Sequence, residues 1–168
     1  YTRWLFVTGV QTCARPIYNT LRIEISGLNG GHSGIDIGKQ RENAIKLLGK
    51  ILYELSQDCK FSVCDINGGV RENVIPKQAY AVICIEDTSK LKDIIENIKS
   101  ELINTEKDLK ITFSETEISK KLSKQSTEKI ITFLTNTKST ALKFNNKNEV
   151  LTSLNLGVVS LEIGRAHV

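Results

Sequence analysis

The sequence predicts an α+β domain: a four-stranded antiparallel sheet with two helices on one face. Three observations carry this. The chain alternates between stretches of period two and stretches of period 3.6, in the order β-α-β-β-α-β. Glycine and proline cluster mainly in the segments between those stretches, at 27–38, 68–69 and Pro76. The 168 residues are 40% hydrophobic and 25% charged, which suits one ordinary soluble domain burying about 70% of its unfolded surface.

Leu21–Ser26 (LRIEIS) alternates apolar and polar residues, as a half-buried strand does. A loop follows over 27–38, with Gly27, Gly30, Gly31, Gly34 and Gly38. Arg41–Gln57 is predicted helical, because Ala44, Leu47, Leu48, Ile51, Leu52 and Leu55 recur at spacings of three and four. Phe61–Ile66 forms the second strand, ended by Asn67-Gly68-Gly69. Pro76 closes the next loop, and Gln78–Glu86 is the third strand. Asp87, Thr88 and Ser89 offer helix caps. The stripe Leu91, Ile94, Ile95, Ile98, Leu102 marks a helix over Ser89–Thr105. Leu109–Ser114 alternates again, and the unit closes near Glu117. This is the ferredoxin-like split βαβ pattern. A third helix is expected over Ser126–Leu142, using Ile130, Ile131, Leu134 and Ala141. Lys143–Glu149 is expected as a polar loop and Val150–Leu161 as strand. Residues 119–161 thus read as the start of a second, incomplete unit after a first unit over 18–118.

The ends read differently. Methionine is absent and the chain starts at Tyr1. Glu162–Val168 (EIGRAHV) back-translates as GAG ATC GGA AGA GCA CAC GTC. Val7–Ile17 (VTGVQTCARPI) can end as CAG ACG TGT GCT CTT CCG ATC, with Arg15 one base from the Leu that CTT encodes. The second string carries the reverse complement of the first, and it resembles a common sequencing-library adapter. Residues 1–17 and 162–168 are therefore expected to be translated adapter around a fragment, outside the fold. Without them Lys+Arg falls from 23 to 20 and Asp+Glu from 19 to 18. A net charge of +2 in place of +4 argues for no nucleic-acid or membrane partner. No apolar run approaches the ~18 residues of a membrane span. Cys59, Cys64 and Cys84 remain, an odd number without C-x-x-C spacing, which points to reduced thiols in a cytoplasmic chain. Cys64 and Cys84 are expected as small core residues.

Two loops could carry chemistry. Gly30-Gly31-His32-Ser33-Gly34 joins a strand to a helix. Its glycines permit tight turns and close approach of a ligand. It lacks the spacing and lysine of a P-loop and does not fit the dinucleotide fingerprint. Adjacent His32 and Ser33 do not make a nucleophile–base pair. The plain alternative for His32 is an exposed loop histidine. The second loop is Gly68-Gly69-Val70-Arg71-Glu72-Asn73-Val74-Ile75-Pro76, which could be a simple hairpin connection. In a split βαβ sheet, however, strands one and three are antiparallel neighbours. The loop leaving the first and the loop entering the third then meet at one end. His32, Arg71 and Asn73 can converge there, and an imidazole, a guanidinium and a carboxamide suit an anionic or carbonyl-bearing ligand.

Three segments carry a resemblance: GLNGGHSGIDIGKQRENAIKLLGKIL, DINGGVRENVIP and EVLTSLNLGVV. In this order they resemble the lid (dimerisation) domain of the M20 metallopeptidases. The match is to the aminoacyl-histidine dipeptidase branch, also called cytosol non-specific dipeptidase or peptidase D. It covers nearly all of Leu21–Leu161. The resemblance implies a lid inserted into a catalytic domain of the same chain that holds two divalent metal ions, usually zinc. It implies hydrolysis of dipeptides, Xaa-His among them, by metal-activated water. It implies a homodimer formed through the lid. By resemblance His32 is catalytic, polarising the scissile carbonyl from the lid, while Asn73 and Arg71 bind substrate. The family's metal ligands and general-base glutamate have no counterpart here, so no metal site is expected in this chain and the fragment alone is expected to be inactive. Two alternatives stay open. One is the lid of another M20 hydrolase, a tripeptidase or amino-acid deacylase. The other is a non-enzymatic ferredoxin-like regulatory module. RNA-binding modules of this shape need aromatic residues on their inner strands, where this chain has only Tyr80.

Overall fold

The computed structural model describes residues 10–12, 19–39, 41–118, 120–147 and 149–161. In chain order its elements begin with β1 (Val10–Thr12), β2 (Asn19–Ser26), β3 (Gly31–His32) and a 3-10 turn (Ile37–Lys39). Next come α1 (Ala44–Asp58), β4 (Phe61–Gly68), β5 (Val74–Ile75), β6 (Ala79–Ile85) and α2 (Ser89–Leu102). The remainder is β7 (Lys110–Glu115), β8 (Lys120–Leu122), α3 (Lys124–Asn136), β9 (Thr140–Phe144), β10 (Val150–Leu154) and β11 (Val159–Ser160).

The main sheet has the order β11-β4-β6-β2-β7, antiparallel throughout. Without β11 this is the predicted βαββαβ arrangement, with strands one and three (β2 and β6) at the centre. Strand alternation sends Leu21, Ile23 and Ile25 of β2 and Ala81, Ile83 and Ile85 of β6 into the core below the helices. Leu48, Ile51, Leu52 and Leu55 of α1 and Leu91, Ile95 and Ile98 of α2 meet them. Each fully buried side chain of this size contributes about 1.5–3 kcal/mol.

Strand β4 departs from strict alternation. Its register against β6 shifts between Val63 and Asp65, so that Val63 pairs with Ile83 and Asp65 with Val82. Cys64 is the extra residue of this bulge. It lets Val63 and Ile66, three apart, both reach the core. Cys64 and Cys84 are buried, as the sequence suggests, but not in that core. They form a separate cluster with Val82 on the other sheet face, their sulfurs 3.0 Å apart.

Several boundaries differ from the sequence reading. α1 starts at Ala44, not Arg41, because the Asn43 carboxamide oxygen caps it, accepting from the amides of Ile45 and Lys46. α3 starts at Lys124, capped by Ser123, and ends at Asn136; Ala141 lies on β9. The apolar spacing of seven from Leu134 to Ala141 is coincidental. The helix stops because the Lys46 ammonium takes the carbonyls of Leu134, Thr135 and Thr137. The expected loop 143–149 is shorter, since Lys143 and Phe144 belong to β9, which forms a hairpin with β10. The last expected strand is two strands separated by 155–158.

Residues 119–161, read from the sequence as opening a second unit, pack onto the first in this structure. Ile130, Ile131 and Leu134 of α3 join the main core, and β11 pairs with Asn67 and Gly68 of β4. Of the ends expected to be adapter, residues 1–9, 13–17 and 162–168 lie outside the described residues. Val10–Thr12, by contrast, pairs antiparallel with Lys120–Leu122. Such pairing uses only backbone N–H and C=O groups, so any extended segment can supply it.

Candidate functional site

The site grows from one topological fact. β2 and β6 are antiparallel neighbours with Ile25 opposite Ala79. The loop leaving β2 and the loop entering β6 therefore meet at one end of the sheet. There they form their own two-residue ladder, Gly31 opposite Ile75 and His32 opposite Val74. The Ser33 amide continues it, donating to the Asn73 carbonyl at 3.0 Å. His32 thus stands on β3 and Asn73 in the turn immediately before β5, beside it, as the sequence argument requires. Arg71 lies on the same loop, where its carbonyl accepts from the Val74 amide at 3.2 Å.

His32 is exposed, and its ring is oriented. The Gly34 amide donates to Nδ1 at 3.1 Å. A nitrogen that accepts carries no proton, so the neutral ring keeps its proton on Nε2. Nε2–H is then the ring's donor. Asn73 and Arg71 are exposed too, and their side chains make no hydrogen bond among the described residues. One donor ring, one carboxamide and one guanidinium are open to a ligand at the same rim.

The sequence reading missed what holds these residues. Asp36 accepts from the His32 amide at 2.9 Å and from the Lys39 ammonium at 2.8 Å, and pairs with Arg41 Nη2 at 3.3 Å. Lys39, the His32 amide and then Arg41 hold its carboxyl below the usual carboxylate range. Glycine is obligatory at position 31: φ is +142°, and a Cβ there would lie 2.6 Å from both Asp36 and Arg41. Asn29 and Glu42 anchor the loop from behind, both amides donating to the buried Glu106 carboxylate at 2.9 and 3.2 Å.

The other loop rests on residues 155–157. Asn155 Nδ2 donates to the carbonyls of Glu72 and Val74, at 2.8 and 2.9 Å. Gly157 is packed so closely under the loop that a Cβ on it would lie 2.6 Å from the Glu72 carbonyl oxygen. Leu156 bonds back to the core: its carbonyl accepts from Asn43 Nδ2 at 3.0 Å. The third motif of the sequence, LTSLNLGVV, is therefore a support for the second. A signal was present in the Asn and Gly of that motif, but their partner lay 80 residues away.

Beside the Asn73 loop, on the sheet face opposite the helices, runs a groove of about 500 Å3 bordered by Val70, Val74, Lys77, Tyr80, Arg22 and Glu24. The Arg22 guanidinium stacks on Tyr80 at 3.5 Å, so the one aromatic ring of that strand is already covered. Among the described residues no group of three or more His, Cys, Asp or Glu side chains could hold a metal ion. No helix among them is long and apolar enough to cross a membrane.

Comparison with known proteins adds the following. A model of the peptidase dimerisation domain of the M20 family matches residues 20–110. The cytosol non-specific dipeptidase of Escherichia coli (strain K12) is 32% identical over 153 residues, which is 86% of this chain and 32% of that protein. The crystal structure of aminoacylhistidine dipeptidase from Vibrio alginolyticus superposes with a TM-score of 0.81 at 27% identity, over 92% of this chain and 34% of that one. The chain spans about a third of the length of both.

Proposed function

Because the chain belongs to the M20 peptidase dimerisation-domain family, we propose that it is the lid of a cytoplasmic metal-dependent dipeptidase. In this reading 18–118 is the first lid unit, 119–161 begins a second, and 1–17 and 162–168 are foreign to the enzyme. The catalytic domain belongs to the same longer chain, and the lid also joins two copies into a homodimer. The described residues offer no ligand set for zinc or any other ion. The two metal ions of the family would be held by the catalytic domain.

The lid's own contribution is electrostatic. As a nucleophile adds to the peptide carbonyl carbon, charge grows on the carbonyl oxygen. A donor placed at that oxygen binds the transition state more strongly than the substrate. His32 Nε2–H is such a donor, and Asn73 and Arg71 would fix the dipeptide by its polar and anionic groups. The observation that carries the reading is the ladder setting His32 opposite Val74, next to Asn73, with Nδ1 engaged by Gly34. The likeness to two dipeptidases favours dipeptides as substrate.

The test is His32→Ala in the full-length enzyme, assayed on a dipeptide at saturating metal. Loss of one such donor lowers kcat by about 10²–10³, with fold and metal content unchanged. A change within about twofold would return His32 to an ordinary exposed loop residue and leave the lid a positional role.

A further inference from the structure

We propose that Asn155 is the positioning residue of the substrate loop, setting where Asn73 stands relative to His32. The inference rests on the functional reading above.

Asn73 lies on an exposed loop with no side-chain bond of its own among the described residues. A loop like that would ordinarily sample many positions. Here the peptide groups on either side of Asn73 are held from outside. Both hydrogens of the Asn155 carboxamide are used, one on the Glu72 carbonyl at 2.8 Å and one on the Val74 carbonyl at 2.9 Å. Between them sits Asn73, whose own carbonyl accepts from Ser33, the neighbour of His32. The two arms of the site are therefore tied to each other by the β3–β5 ladder and its Ser33–Asn73 extension, and to Asn155 at two carbonyls.

Asn155 is itself fixed. Its Oδ1 accepts from Ser139 Oγ at 3.5 Å, and the same hydroxyl accepts from the Leu156 amide at 3.2 Å and from Asn43 Nδ2 at 3.0 Å. Asn43 is the cap of α1 and is 4% exposed. The path from the rigid helix end to the substrate loop runs Asn43, Leu156 and Ser139, Asn155, then the Glu72 and Val74 carbonyls. Gly69 and Gly157 let the two segments close on one another: φ at Gly69 is +77°, and a Cβ there would fall 1.9 Å from the Gly157 carbonyl oxygen. A fork of two N–H donors on two carbonyls two residues apart needs a carboxamide. A carboxylate of the same shape would face both oxygens with no hydrogen to offer.

The variant is Asn155→Asp in the full-length enzyme, with Asn155→Ser used if the first does not fold. Displacement of a binding group by about 1 Å can cost 100-fold, so kcat/KM on a dipeptide is expected to fall about 10- to 100-fold, mainly through KM. The second measurement is a double-mutant cycle with Asn73→Ala. If Asn155 acts through Asn73, the double variant loses little more than Asn73→Ala alone. Lys46→Met, which removes bonds to the end of α3 far along the chain, serves as the control. It is expected to lower Tm while leaving kcat/KM unchanged. Wild-type kcat/KM in Asn155→Asp, or losses that simply multiply with those of Asn73→Ala, would overturn the inference. Full activity in both His32→Ala and Asn73→Ala would instead remove the functional reading, and the inference with it.

Discussion

At Glu42 the fold holds a carboxylate where a charge is unwelcome. Burial pushes its pKa up, and the Glu106 carboxylate pushes in the same direction, with Lys50 opposing in part. A glutamate raised in the folded state binds its proton more tightly there than in the unfolded chain. Its contribution to stability is therefore greatest in acid and falls as pH rises through the folded value. Glu42→Gln should raise Tm at pH 7, and the gain should vanish below about pH 4, where wild-type Glu42 is protonated in both states. Thermal melts of the two proteins across pH 3–8 check this; a gain independent of pH would place the effect elsewhere. Asp36 lies on the opposite side of the same balance. Its pKa is lowered by Lys39 and the His32 amide, so what it contributes to the His32 loop is present at neutral pH and lost as pH falls through its folded value. Both carboxylates were plain in the sequence. The Glu106 partner of Glu42 was not, because it lies 64 positions away, whereas Asp36 finds its partners within its own loop.

Among the elements, the crossing of α1 and α3 shows how packing overrides propensity. Gly49 lies in the interior of α1, where glycine costs about 1 kcal/mol relative to alanine. By that rule alone Gly49→Ala would stabilise the helix. A Cβ at Gly49, however, would lie 2.8 Å from the Leu134 Cβ and 3.5 Å from the Leu134 carbonyl carbon. These atoms sit on the helix backbone or next to it and cannot swing aside. Forcing extra volume into such a contact costs about 1–3 kcal/mol, so a net destabilisation on the order of 1 kcal/mol is expected for Gly49→Ala. Urea unfolding of the two proteins measures it, and a stabilised variant would mean that α3 can move away from α1. The existence of α1, α2 and α3 was legible from apolar spacing. The end of α3 was not, since Lys46 decides it from outside the helix.

For the whole molecule, Asn43 joins the first unit to residues 119–161. Its oxygen caps α1, and its nitrogen reaches Ser139 and Leu156. Asn43→Asp keeps the cap and removes the second function. Asn43→Ala removes both, adding the loss of a helix cap worth about 1 kcal/mol. The aspartate variant should still be destabilised by about 1–3 kcal/mol, because the buried Leu156 carbonyl loses its donor and faces a carboxylate. Equal stability of Asn43→Asp and wild type, measured by denaturant unfolding, would show that the Asn43 bonds to Ser139 and Leu156 contribute nothing to holding the two parts of the chain together.

By itself the sequence determined the element order, the faces of the central strands and of α1 and α2, the ferredoxin-like topology, and the loops that carry His32, Arg71 and Asn73. These follow from short-range periodicity and from the rule that antiparallel neighbours bring their connecting loops to one end. Only the tertiary structure decided which nitrogen of His32 carries the proton, that Cys64 is a bulge, that β11 extends the main sheet, and that Asn155 and Gly157 hold the Asn73 loop. The Cys64 bulge, the placement of β11 and the hold of Asn155 and Gly157 depend on partners tens of residues distant, which leave no period in the chain; the Gly34 bond to His32 is local, but its geometry exists only once the loop has folded.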